Sequence, residues 1–205
     1  MSKLLLGFGA LVTGSLLVEV ALPSLMPPRE TAATAVGSEA SIAGGGLPGS
    51  PFGSACRPVV TQPYGPTDVV GEPIINGQRF HTGIDLACPQ GTPVHSLTDG
   101  IAHVTSGWSP APCCAGIGGG FGNNVVVAVD MRLGGDVAPQ HYFVRYAHLL
   151  GDIAVADGQV VRPGDLLGFE GSTGFSTGPH LHFEVDRGAP SVQDSIDPSA
   201  LLEGA

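Results

Sequence analysis

Basic side chains are scarce in this sequence. Eight Lys and Arg stand against 18 Asp and Glu, giving a formal net charge of −10. A surface that tracks phosphates needs clustered Lys and Arg. No such cluster occurs, so nucleic acid is excluded as a partner, and the acidic balance reads as solubility. Sustained helical periodicity is missing beyond the N-terminal segment. No CxxC pair marks a structural metal site. The run GIGGGFG at 116–122 lacks the Lys-Ser/Thr ending and the following helix of a phosphate cradle, so it reads as a flexible loop.

Turn-forming residues are abundant instead. The chain of 205 residues has 32 glycines and 18 prolines, yet 42% of it is apolar. Many short strands joined by turns reconcile these facts, and the fold class expected is all-β, mainly antiparallel. NNVVVAVDM (123–131) is a β-branched run, and HYFVRYAHL is expected to pair with it. GDLLGFEG after Pro163 reads as a further short strand. In VHSLTDGIAHVTS the pair Asp99-Gly100 lies between alternating segments, which predicts a hairpin. His95 and His103 would then face each other across it. They and His141 are assigned no role.

The only lysine, Lys3, precedes the apolar stretch LLLGFGALVTGSLLVEVALPSLM at 4–26. A positive start followed by an apolar run is an export signal or a membrane anchor. Glu19 interrupts it, at roughly 2.5–3.5 kcal/mol for a carboxylate deep in a membrane helix. Ala33-Thr34-Ala35 fits a small-residue cleavage pattern, so residues 1–26 are either a signal peptide or an anchor helix. Residues 27–55, rich in Ala, Gly, Ser and Pro with Phe52 their single aromatic, read as a flexible linker. The folded domain is expected over 56–205. Four cysteines in an exported chain suggest disulfides. Adjacent Cys113 and Cys114 rarely bond to each other, so their cross-pairing with Cys56 and Cys88 is expected, with buried free thiols as the alternative.

Three strings carry the chemistry: HTGIDL with His81 and Asp85, RYAHL with His148, and GPHLHFEV with His180 and His182. On a strand, side chains alternate faces, so His180, His182 and Glu184 share one and Leu181, Phe183 and Val185 the other. Imidazole and carboxylate are zinc ligands at roughly 2.0–2.2 Å from the ion. Residues four apart on a straight strand are separated by roughly 13 Å, so His81 and Asp85 share an ion only if the chain bends. Gly83 permits a bend. A third ligand from the HxH strand would leave a fourth position open for water, the catalytic arrangement, and the remaining histidines could move a proton or stabilise an oxyanion. Alternation leaves open which residue of HxH holds the metal.

HTGIDLACPQGTPVHSLTDGIAHV, GNNVVVAVD, RYAHL and VVRPGDLLGFEGSTGFSTGPHLHFEV resemble, in order, the lysostaphin-type (LytM-like) zinc metallopeptidases over roughly residues 75–186. The resemblance implies a small antiparallel β domain with a zinc-containing groove. It implies Zn²⁺ held by His81, Asp85 and His182, with His148 and His180 as catalytic residues beside the water and the substrate. The substrate it implies is the peptide part of bacterial peptidoglycan. Two connections, WSPAPCCAGIGGGFG and MRLGGDVAPQHYF, are longer than in the family and are expected near the groove walls.

The function expected is therefore an exported zinc metalloendopeptidase that hydrolyses peptidoglycan stems or cross-bridges. It would work at the cell envelope, whether periplasmic, extracellular or membrane-anchored and facing outward, alongside envelope or secretion-machine partners. The alternative is a non-catalytic zinc-containing envelope module that binds peptidoglycan or activates a partner hydrolase. A weaker reading is a carboxypeptidase or amidase acting on the same polymer.

Overall fold

The computed structural model describes residues 49–105 and 120–202. Residues 1–26, most of the expected linker, and Cys113 and Cys114 lie outside them. Among the described residues no helix is long and apolar enough to cross a membrane.

The strands are β1 (Val59–Gln62), β2 (Gly65–Pro66), β3 (Ile74–Ile75), β4 (Gln78–His81), β5 (Gly83–Ala87), β6 (Pro93–His95), β7 (Gly100–Thr105), β8 (Asn123–Met131), β9 (Gln140–Leu149), β10 (Gln159–Val161), β11 (Leu166–Phe169), β12 (Leu181–Arg187) and β13 (Ser195–Ile196), followed by the short helix α1 (Ser199–Leu202). The main sheet runs β1-β5-β12-β9-β8-β7-β10, with β13 also on β12. β6 pairs with β11, and β4 lies between β2 and β3. Every pairing is antiparallel, as the composition leads one to expect.

Alternation sorts the central strands into two layers. Val125, Val127 and Val129 of β8, Tyr142, Val144 and Tyr146 of β9, and Leu181, Phe183 and Val185 of β12 form the apolar core. Asn124, Arg145, His182, Glu184 and Asp186 alternate with them and point the other way, yet are also buried. Pairing within this layer matters because each unpaired buried group costs about 1–3 kcal/mol. Asp186 meets Arg145 only at 3.6 Å, with no hydrogen bond to either carboxylate oxygen among the described residues.

Four sequence expectations change here. Asp99-Gly100 is not a hairpin turn: β6 pairs with β11 and β7 with β8, so the pair marks a crossover between sheets. Gly100 is required for close approach, because a Cβ there would lie 2.4 Å from the Ala128 carbonyl oxygen. The expected linker ends early, since Phe52 is fully buried in the core and Pro51 accepts a hydrogen bond from the His95 amide. Cys56 bonds to Cys88, replacing the expected cross-pairing with Cys113 and Cys114. The antiparallel register Val59↔Ala87 of β1 and β5 brings these flanking cysteines together. The β8–β9 connection lies away from the groove: Asp136 binds Arg187 and Tyr142, at the end of β12 remote from His182.

Candidate metal and catalytic site

The register of β5 on β12 sets His182 directly opposite Asp85 and Glu184 opposite Gly83. Facing partners in an antiparallel pair present their side chains on the same side of the sheet. His182 thereby meets Asp85 Oδ1 from within the paired strand, at 3.0 Å. His81 reaches the same point from the end of β4, whose pairing with β2 stops there. The chain breaks at Thr82 before β5 starts, which brings residues 81 and 85 together. Gly83 matters for a different reason from the one expected. A Cβ on it would lie 2.7 Å from His182 Cε1 and 2.6 Å from the Phe183 carbonyl oxygen, so the glycine makes room for the imidazole.

His81 Nε2, Asp85 Oδ1 and His182 Nδ1 form a triangle with sides of 3.1, 3.0 and 3.1 Å. Atoms that each lie about 2.0–2.1 Å from a tetrahedral zinc ion are roughly 3.3–3.4 Å apart, so a few tenths of an ångström of expansion admits the ion. Tautomers agree with this fit. His81 Nδ1 donates to the Pro63 carbonyl at 3.0 Å, leaving Nε2 as a lone pair in the triangle. His182 Nε2 donates to Glu184 at 3.2 Å, so Nδ1 faces Asp85. Among the described residues this is the cluster of His, Cys, Asp and Glu able to hold an ion.

The electrostatics favour a cation. Burial alone would raise the Asp85 carboxyl, but hydrogen bonds from His182 and His81 hold it far below the usual carboxylate range. Burial would lower His182, but Asp85 and Glu184 carry it up to about 10. The surroundings that hold a second proton on His182 equally favour a metal ion in its place, with release of that proton.

His148 and His180 stand beside the triangle, their rings 4.8 Å apart. His148 sits at an irregularity in the β8–β9 ladder and has a φ of 65°, a left-handed conformation uncommon for a residue with a side chain. Its amide donates to the Phe121 carbonyl, and its Nδ1 donates to the Thr173 carbonyl at 2.8 Å, leaving Nε2 unprotonated. Burial, with the rings of His182 and His180 close by, pushes its pKa down to about 3, so it is a neutral base at pH 7. His180 precedes β12 in an isolated bridge with Gly171. Its Nδ1 donates to the Gly178 carbonyl at 2.9 Å, and its Nε2 lies 3.5 Å from Asp85 Oδ2. All five residues singled out in the sequence therefore line one groove. His103 and His141 sit apart from it, beside Asp157 and Asp130.

Sequence reasoning missed the layer beneath. Glu184 accepts from Arg145 Nε at 3.0 Å and from Thr82 Oγ1. Arg145 Nη1 donates to Asn124 at 3.2 Å, and its guanidinium lies 4.2 Å from the centre of the Phe121 ring. Burial opposes ionisation of Glu184, but His182 and Arg145 bring it down to about 2. Burial and the neighbouring Glu184 charge push Asp186 up to about 9. The shared face of His182 and Glu184 was legible; the anchor of Glu184, Arg145, depends on the β9–β12 register.

Three donor atoms able to hold an ion beside an open groove, with a neutral imidazole next to them, are the equipment of a metal-dependent hydrolase. Residues 79–198 match the model of peptidase family M23, and the chain belongs to that family. It is 43% identical over 113 residues to the DD-carboxypeptidase/endopeptidase Mpg of Neisseria meningitidis serogroup B, covering 55% of this chain and 21% of that protein. It is 39% identical over 122 residues to the peptidoglycan DD-endopeptidase ShyA of Vibrio cholerae, covering 58% and 23%. The chain thus spans less than a quarter of either relative's length. The fold is similar to the catalytic domain of lysostaphin from Staphylococcus simulans, an antimicrobial peptidase: TM-score 0.51 and 31% identity over 71% of this chain and 92% of that domain.

Proposed function

We propose that this protein is an exported zinc metalloendopeptidase that hydrolyses peptide bonds of bacterial peptidoglycan, in its stems or cross-bridges. The observation that carries the reading is the triangle of His81 Nε2, Asp85 Oδ1 and His182 Nδ1 with the neutral His148 beside it. Zinc bound there supplies Lewis acidity that activates water and polarises the scissile carbonyl. His148 Nε2, with Nδ1 tied to Thr173, is the general base that takes the proton. His180, held by Gly178, faces the reacting carbonyl and stabilises its developing charge. The peptidoglycan substrate is supported by the named activity of the ShyA relative, and a substrate in the wall implies action at the cell envelope. The apolar segment 4–26 supports export, with a membrane anchor as its other outcome.

The test is mass spectrometry of purified peptidoglycan digested with the full chain and zinc, beside a chelated sample and His148→Ala. New internal peptide ends, absent from both controls, are expected. Intact peptidoglycan in the presence of zinc-loaded protein would overturn the reading.

A further inference from the structure

We propose that Glu184 is a positioning residue for the metal site, fixing the His182 ring so that Nδ1, and not Nε2, faces Asp85 and His81. The proposal rests on the zinc reading of those three donors.

A histidine ring turns about a broad, roughly two-fold torsion, so its two orientations lie close in energy unless something selects one. His182 and Glu184 are two apart on β12 and share a face, and the carboxylate meets Nε2 at 3.2 Å. Glu184 is itself immobilised. Arg145 is its register partner on β9 and donates to Oε1 at 3.0 Å, while Thr82 donates to Oε2. Arg145 is held in turn by Asn124 and by the Phe121 ring. Glu184 has no exposed surface and does not line the groove, so it touches neither substrate nor reacting atoms. Its part is to hold a ligand.

The donor count explains why a carboxylate stands here. Three N–H and O–H groups, from His182, Arg145 and Thr82, converge on the two oxygens of Glu184. A carboxylate only accepts and satisfies all three. An amide of the same shape has one accepting oxygen, so its NH₂ would confront at least one of these donors. The charged Arg145 claims the amide oxygen, so the NH₂ faces His182 Nε2–H and Thr82, which share Oε2; the ring is then freed to turn and Nδ1 leaves the triangle. Partners of this kind behind a ligating histidine are worth about ten- to a hundredfold in metal affinity.

The experiment measures zinc affinity by chelator competition, and the His182 tautomer by imidazole ¹⁵N chemical shifts of the zinc-loaded protein, for wild type, Glu184→Gln and Glu184→Asp. The Asp variant keeps the charge that Arg145 requires but withdraws it from His182. Wild type is expected to bind zinc with a single Nε2–H tautomer. Both variants are expected to bind roughly ten- to a hundredfold more weakly, with mixed tautomers. Folded variants with wild-type affinity and tautomer would overturn the proposal. So would a wild-type spectrum with the proton on Nδ1, which requires no variant to fold. Wild type that takes up no zinc would instead remove the metal reading beneath the proposal.

Discussion

His148 has a side chain aimed by an unusual backbone conformation and an Nδ1 tied to Thr173, and burial lowers its pKa and keeps it neutral, so Nε2 presents a lone pair to the groove. Its ring is not part of the donor triangle. His148→Ala is therefore expected to retain stoichiometric zinc while losing about 10²–10⁴ in turnover, checked by elemental analysis beside peptidoglycan digestion. A second titrating group acts on stability. Glu170 is fully buried just after β11, and the Cys88 amide donates to both of its oxygens at 3.0 and 3.1 Å. Burial outweighs that amide and raises its pKa from 4.5 to about 7. The folded state therefore binds this proton more tightly than the unfolded chain. The contribution is full below pH 4.5 and lost as the pH rises through about 7. It amounts to about 3 kcal/mol. In denaturant titrations at pH 5 and pH 8 with chelator present, wild type should lose this stability relative to Glu170→Gln. Equal pH slopes for the two proteins would refute the assignment.

At the scale of elements, the β5–β12 pair leaves no spare room. Gly83→Ala places a methyl group 2.7 Å from His182 Cε1 and 2.6 Å from a backbone oxygen. The imidazole must move, and weaker zinc binding is expected together with a stability loss of about 1–3 kcal/mol, read by chelator competition and thermal melts. The Cys56–Cys88 bond closes a separation of 32 residues around β1 to β5. Replacing both cysteines by Ser is expected to cost about 3–4 kcal/mol in chemical unfolding. These elements also show what the sequence could and could not disclose. HTGID and HLH were legible because each keeps its ligands within a few residues of one another. β8 and β9 were legible from their β-branched runs. The crossover at Asp99-Gly100 was not, because the partner of β6 is β11, some seventy residues on, and a hairpin and a crossover use the same two residues. Phe52, a lone aromatic among small residues, reads locally as linker, although it is fully buried in the core. The cysteine pairing follows from a register that no local pattern encodes.

Across the whole molecule, the donor triangle joins the β4–β5 segment to β12, so an ion held there would bind the folded state and not the unfolded chain. At a thousandfold excess of free zinc over Kd this adds about 4 kcal/mol. Chelation should therefore lower the melting temperature by roughly 8–16 °C for a domain of this size, and hydrogen exchange should quicken first in β5 and β12. A melt indifferent to chelator would count against a bound ion.

β12 is the penultimate strand in sequence but stands in the middle of the main sheet, between β5 and β9. A chain made from its N-terminus therefore carries His81, Asp85 and His148 long before the strand that gathers them. Until residues 181–187 emerge, β5 and β9 have no common neighbour, and the donor set lacks His182. The order of synthesis therefore leaves the donor set incomplete until the last central strand takes its place between β5 and β9.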